Sequence, residues 1–314
     1  MTGGIGATSP IVITPQVLAS SMVTSLTADQ ASIANLEHEV STGLSVTVAS
    51  DNPAQAANIL QLQAGVTRAR QYVTNAQDGV SWLTLANSTV SSVMNVLQQV
   101  QGAVQGITGD EASGSATAIT GISSVVDSAL AQLLDLANTQ YAGQAIFSGT
   151  GSPTQAYAAD GTYLGAGTAP TRTVAPGTRI AVSVTGPEVF GTGSTGLLSQ
   201  VPGNLGVLAQ IATELGKGTA ASLDKAATTG LGALQGAIDV VAAQAGKLGA
   251  DQQAMEGFSA QATASATALE QELGNAQDVN IAQAITNLQL QQTAYQAALY
   301  ATSQVDANSL VEYL

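Results

Sequence analysis

The residues Gly191-Thr-Gly193-Ser-Thr-Gly196 have the G-x-G-x-x-G spacing that lets a backbone approach a pyrophosphate. They follow a stretch with strand character, and Glu214 stands at about the spacing of a ribose-binding acid. A dinucleotide domain, however, is assembled from repeated strand–helix–strand units. Here a single patch is rich in strand signals, and Pro202 cuts short the helix that follows. The glycines therefore read as a flexible return from one module to the next. His38, the one histidine, lies between Glu37 and Glu39. Neighbours on a helix point about 100° apart, so neither carboxylate faces the imidazole, and His38 reads as a surface residue. Asp51-Asn52 and Asp110-Glu111 lack the D-x-D-x-D-G frame of a calcium loop and read as solvated turns. Gly216-Lys217 is followed by Gly218 where a phosphate-binding loop needs Ser or Thr. No residue is assigned a catalytic, cofactor-binding or metal-ligating role, and a non-enzymatic protein without a cofactor is expected.

Composition supports the same exclusion. Only 9% of the 314 residues are charged, against about 25% in an ordinary globular chain, and 4% are aromatic. Ala and Gly replace the bulky side chains of a thick core, which suits thin, closely packed helices. The absence of cysteine removes disulfides, thiolate metal sites and a cysteine nucleophile. Seven basic residues against 21 acidic ones give a net charge of −14, and all seven lie between Arg68 and Lys247. Nucleic acid and anionic membrane surfaces are therefore excluded as partners. The first residues lack a basic region and an apolar run, so no cleaved signal peptide is expected. No uninterrupted apolar run approaches the ~18–20 residues that cross a bilayer.

Proline placement divides the chain. Five of the eight prolines fall between Pro153 and Pro202, and 54–152 and 203–314 contain none. The proline-free arms carry apolar residues at helical spacing. The first seam is Leu18, Met22, Leu26, Asp29, Ile33, Leu36 and Val40. A second runs from Leu231 through Leu248 to Leu273, and further faces run from Trp82 to Val104 and from Ile119 to Leu136. Asn280 and Gln283 form the N-x-x-Q variant of a capping box at the start of a last helix, whose apolar face is Ile281, Ile285, Leu288, Tyr295 and Leu299. Between the arms, Ile180 to Thr185 alternates apolar and polar residues as a half-buried strand does. The expected fold is mainly α: an elongated, coiled-coil-like helical rod formed by both chain ends, with a small β-rich module inserted mid-chain. The expected organisation is a flexible segment over 1–15, a helical arm over 16–142, a β-rich outer module over 143–198 and a returning helical arm over 199–314.

Three stretches carry a family resemblance. Ser41-Thr-Gly-Leu-Ser-Val-Thr-Val-Ala-Ser-Asp51-Asn52-Pro53-Ala-Gln-Ala resembles the STGKR…N…SDDP…A segment of flagellin-like proteins, and Val279 to Leu314 is similar to their C-terminal helix. Leu136 to Thr150 resembles the LAN…GRYLFAGT stretch of the branch that joins hook to filament. Pro53 and the ending Ser-Leu-x-x-Tyr-Leu favour the same branch. Leu44-Ser45 replaces the family's basic pair, and Asn52 replaces its second Asp. The resemblance implies a structural component of the bacterial flagellum that joins hook to filament by axial self-assembly. Its interface would be Leu18, Met22, Leu26, Ile33, Leu36 and Val40 against Ile281, Ile285, Leu288, Tyr295 and Leu299. It also implies export through the flagellar apparatus to the cell exterior and partners of three kinds: copies of itself in a ring or helical layer, the hook-side junction protein and flagellin, and an export chaperone. A short flagellin that builds the filament itself and a secreted acidic binding or adhesion module are the alternatives.

Overall fold

The computed structural model describes residues 15–46, 48, 50, 52–106, 116–151 and 154–311, with side chains at all of these but 15, 16, 18, 19 and 304–311. The Asp51 and Asp110-Glu111 readings, the Leu18 side chain and the segment 1–15 apart from Pro15 lie outside the described residues; Pro15 starts the first helix. The chain forms two units. One joins residues 1–66 with 267–314, and the other is 67–266.

The end-formed unit holds α1 (Pro15–Thr42), α8 (Ile281–Val311), the first turns of α2 (Pro53–Gln105) and the last turns of α7 (Leu231–Gln277). α2 starts where it does because Asn52 caps it. The Asn52 Oδ1 accepts from the Gln55 N–H at 3.1 Å, Asn52 donates its amide to the Gln55 side chain at 3.1 Å, and Pro53 occupies the first helical position. At α8, Asn280 caps as expected, accepting from the Gln283 N–H at 3.2 Å. The Gln283 side chain does not reach back; it turns forward to Asn287 at 3.1 Å, so only half of the expected box forms.

The unit 67–266 holds the rest of α2 and α7 with α3 (Ala116–Ala137), two hairpins, α4 (Gly186–Phe190), α5 (Val207–Lys217) and α6 (Ala220–Lys225). The hairpins are β1 (Gln140–Tyr141) with β2 (Gln144–Ala145), and β3 (Thr171–Ala175) with β4 (Thr178–Ala181), both antiparallel. A π-helical turn, Ala226–Gly230, links α6 to α7. The predicted seams are the buried ones. Val93, Leu97, Val100 and Val104 of α2 join one core with Val126 and Leu133 of α3 and with Leu234, Val241, Leu248 and Met255 of α7. Gly79 lets α2 close on this core, since a Cβ there would meet the Met255 Cε at 2.6 Å. α3 and the helical run 220–277 reach the length and mean hydropathy of a membrane span, although no uninterrupted apolar run does. Val126, Ala129, Leu130 and Leu133 of α3 are buried in this unit.

The strand expected over Ile180–Thr185 ends at Ala181. Beyond it Val182, Ser183 and Val184 are all buried, which a flat strand with one wet face does not allow. Ser183 donates its hydroxyl to the Ile146 carbonyl at 2.5 Å and the Gly186 N–H donates to Phe147 at 2.8 Å, so the chain bends inward and starts α4. There the Glu188 carboxylate accepts from both the N–H (2.7 Å) and the hydroxyl (2.8 Å) of Thr185. Burial works to raise the Glu188 pKa, but these bonds and Lys247 at 3.6 Å bring it below the usual range. Asp251, one turn further along α7, is held above the usual range by burial, which Lys247 offsets in part. Against α2, Arg172 of β3 pairs with Asp78 at 2.7 Å and lies over the Trp82 ring, its guanidinium carbon 5.4 Å from the centroid.

Candidate assembly interface

α1 and α8 pack antiparallel. Half-buried residues of α1 at Met22, Leu26, Asp29, Ile33, Leu36 and Val40 form one stripe at steps of three and four, with Glu39 half-buried beside its end. Asp29 fits this apolar stripe because the Gln291 amide donates to its carboxylate at 2.9 Å. One residue on, the Gln30 amide donates to the Tyr295 hydroxyl at 3.0 Å. These bonds fix the face that α8 turns to α1: Ala284, Leu288, Gln291, Tyr295, Ala298 and Thr302. Of the five residues expected on that face, Leu288 and Tyr295 are half-buried, whereas Ile281, Ile285 and Leu299 are 51%, 40% and 44% exposed. The inward positions hold two alanines because α1 presents Met, Leu and Ile, and large side chains interdigitate best with small ones.

The connections at one end of the pair are stitched together. The Ser45 N–H donates to the Gln277 carbonyl at 2.8 Å, the Val279 N–H donates to Gly43 at 2.9 Å, and Leu44 and Asp278 form an antiparallel bridge. The Gln55 amide reaches the Ala276 carbonyl at 2.7 Å, tying the start of α2 to the end of α7. Leu44-Ser45, which departs from the flagellin pattern, is thus a backbone junction. Sequence reasoning missed the cap that Asn52 provides and the side-chain tie that Gln55 makes. The signal was present, since Asn52-Pro53-Ala54-Gln55 has the same N-x-x-Q spacing read at Asn280.

The other candidates are structural. The glycine motif follows α4, not a strand. Gly191, at φ +69°, ends α4, and a Cβ on it would stand 2.8 Å from the Gly196 Cα. The Gly196 N–H donates within the loop to Thr192 at 3.1 Å, so the loop closes on itself. Glu214 is held below the usual carboxylate range by Lys217 at 2.8 Å and Lys225 at 3.2 Å. Gly218 ends α5 in the left-handed conformation just after Lys217. His38 is exposed on α1. Among the described residues, no three acidic or histidine side chains converge as a metal site would need.

Comparison with known proteins agrees with the two-ended organisation. The bacterial flagellin N-terminal helical region matches residues 13–152, and the flagellin C-terminal helical region matches 231–314. No match is found among curated proteins. A solved structure from Vibrio parahaemolyticus, described as flagellar hook-associated, is similar with a TM-score of 0.63 at 18% identity, covering 73% of this chain and 100% of that one. Bacillus cereus FlgL gives 0.53 at 19% identity, covering 68% of this chain and 99% of that chain. The flagellar junction protein FlgL of Legionella pneumophila gives 0.50 at 17%, with 72% and 100% covered. These structures share its fold, and with both flagellin regions spanning well over half of its length, the chain belongs to the bacterial flagellin family.

Proposed function

We propose that this chain is a structural, non-enzymatic subunit of the bacterial flagellum, set at the junction of hook and filament and assembled through the unit its two ends form. The observation that carries the reading is that unit. Both flagellin regions supply it, and its α1–α8 pair leaves large apolar side chains uncovered, a face suited to neighbours. The fold shared with hook-associated structures supports the junction over the filament. Leu18, Met22, Leu26, Ile33, Leu36 and Val40, with the α8 residues, would then lie where copies and adjoining axial proteins meet. Export to the cell exterior through the flagellar apparatus, with a chaperone and no cleaved signal peptide, belongs to the same reading.

Deletion of the gene tests it. The expected outcome is loose filaments in the medium beside intact hooks, with labelled protein confined to one band at the filament base. Label along the whole filament would make the chain a short flagellin. Normal attachment and motility after deletion would overturn the flagellar role.

A further inference from the structure

The glycine loop after α4 walls a cavity of about 140 Å³ in the unit 67–266, together with Thr162, Asn204 and the tyrosines Tyr157 and Tyr163. Its walls are held by bonds that leave particular groups unused. The Gln210 amide donates to the Ser194 carbonyl at 2.9 Å and to the Leu205 carbonyl at 2.6 Å, which ties the glycine loop to the segment carrying Asn204. The Ser199 hydroxyl donates to the Asn204 carbonyl at 2.6 Å. Tyr163 commits its hydroxyl to the Phe147 carbonyl at 3.0 Å, and its ring lies against that of Tyr157, centroids 5.2 Å apart. The Thr162 hydroxyl is taken by the Asp160 carboxylate. By contrast, the Asn204 carboxamide and the Thr192 hydroxyl make no hydrogen bond to any described residue. Gly193 leaves room for that carboxamide, since a Cβ there would stand 3.0 Å from the Asn204 Oδ1.

These facts select a ligand chemistry. None of the described residues lining the cavity is charged, so an ion entering it would lose water without gaining a counter-charge. A wholly apolar ligand would cover the Asn204 carboxamide and the Thr192 hydroxyl and leave them unpaired. The volume admits one six-membered ring with its substituents and is too small for a nucleoside. A neutral pyranose meets all three conditions. One face of C–H groups suits the tyrosine rings, and its rim of hydroxyls both donates and accepts, as a carboxamide does. We infer that this cavity is a binding site for a single neutral pyranose, free or at the end of a glycan, held by Asn204 and Thr192 against Tyr157 and Tyr163. The walls are tied in place before the sugar arrives, so binding carries little ordering cost. The inference does not rest on the flagellar reading.

Saturation-transfer NMR of the full chain with D-glucose, D-galactose and D-mannose tests this. At least one sugar is expected to bind saturably with a Kd of about 1–10 mM, the scale for so small a ligand. Asn204→Ala should weaken that binding about tenfold, and Thr192→Val about threefold to tenfold. Circular dichroism of both variants should match wild type, because neither side chain holds the fold through a hydrogen bond; if one variant fails to fold, the other still decides. Inorganic phosphate should not displace the sugar. Methyl glycosides separate the two sources: equal binding points to a glycan end, and loss of binding to a free sugar whose anomeric hydroxyl is read. No saturable binding of any of the three sugars, unchanged affinity in either folded variant, or displacement by phosphate would each overturn the inference.

Discussion

In residues 67–266, Leu83, Leu133, Phe147, Leu208 and Leu234 are sealed from solvent, and basic residues pair with Asp78, Glu188 and Glu214. Along α1 no described side chain is fully buried, along α8 Ala284 alone is, and the unit they belong to contains no Lys or Arg. Both regions are helical and rich in alanine, so a shortage of helix-forming residues is not what leaves the second one uncovered. The difference lies in how many neighbours each helix has. A helix with packing on several sides hides its large residues, whereas a helix with one antiparallel partner hides one stripe. The first arrangement carries its own stability; the second gains more when another helix arrives.

The sharpest break in that contrast comes from the sealed core. Leu133→Ala, at a fully buried position, should cost about 2–5 kcal/mol in denaturant unfolding of 67–266. Gly161→Ala should be of similar weight, because Gly161 has φ +75° and a Cβ there would run into the Leu198 carbonyl. In the end-formed unit, Ile33→Ala should cost only about 1 kcal/mol in the monomer, since the side chain is half-covered; an equal loss at Leu133 and Ile33 would erase the contrast. Arg172→Leu comes next, at about 0.5–1 kcal/mol by the same measurement, because the ion pair with Asp78 is partly exposed.

The smallest effect concerns Asp251. Burial raises its pKa in the folded chain, so the contribution favouring the fold is fully present below its ordinary value of 3.8 and is lost as pH rises through the folded value. Asp251→Asn should therefore raise the melting temperature slightly at pH 7, and the gain should vanish as pH falls below 3.8. A gain of the same size at every pH would place the cause in packing, not charge.

Much of this was legible in the residues. The stripe from Leu231 to Leu273 reads directly because its three-and-four spacing runs along one helix, and Asp29 reads as an interruption that the Gln291 amide accommodates. α8 was harder. Its expected and observed faces differ by a fraction of a turn and share Leu288 and Tyr295, and hydrophobicity favours the one with more Ile and Leu. The choice between them depends on α1, whose large residues need alanines opposite, and no property of α8 alone carries that information. Likewise Ile180–Thr185 has strand alternation, but the pull of the Ile146 and Phe147 carbonyls, distant in sequence, bends it away. Asn52 reads as part of a solvated turn, although its neighbours, Pro53 and Gln55, already spell a helix start.

The stitch between Ser45 and Gln277 joins positions 232 residues apart. A ribosome delivers the chain from its N-terminus, so α1 appears first and its partner α8 last. Residues 67–266 have every strand and helix of their own core in hand before α8 exists. The end-formed unit must stay open through nearly the whole of that interval, and closing so distant a contact is slow compared with local pairing. Synthesis of α8 is thus the event that ends the wait: the fold carries a built-in clock, and the stretch from Gln277 to Tyr295 decides when the first helix is allowed to settle.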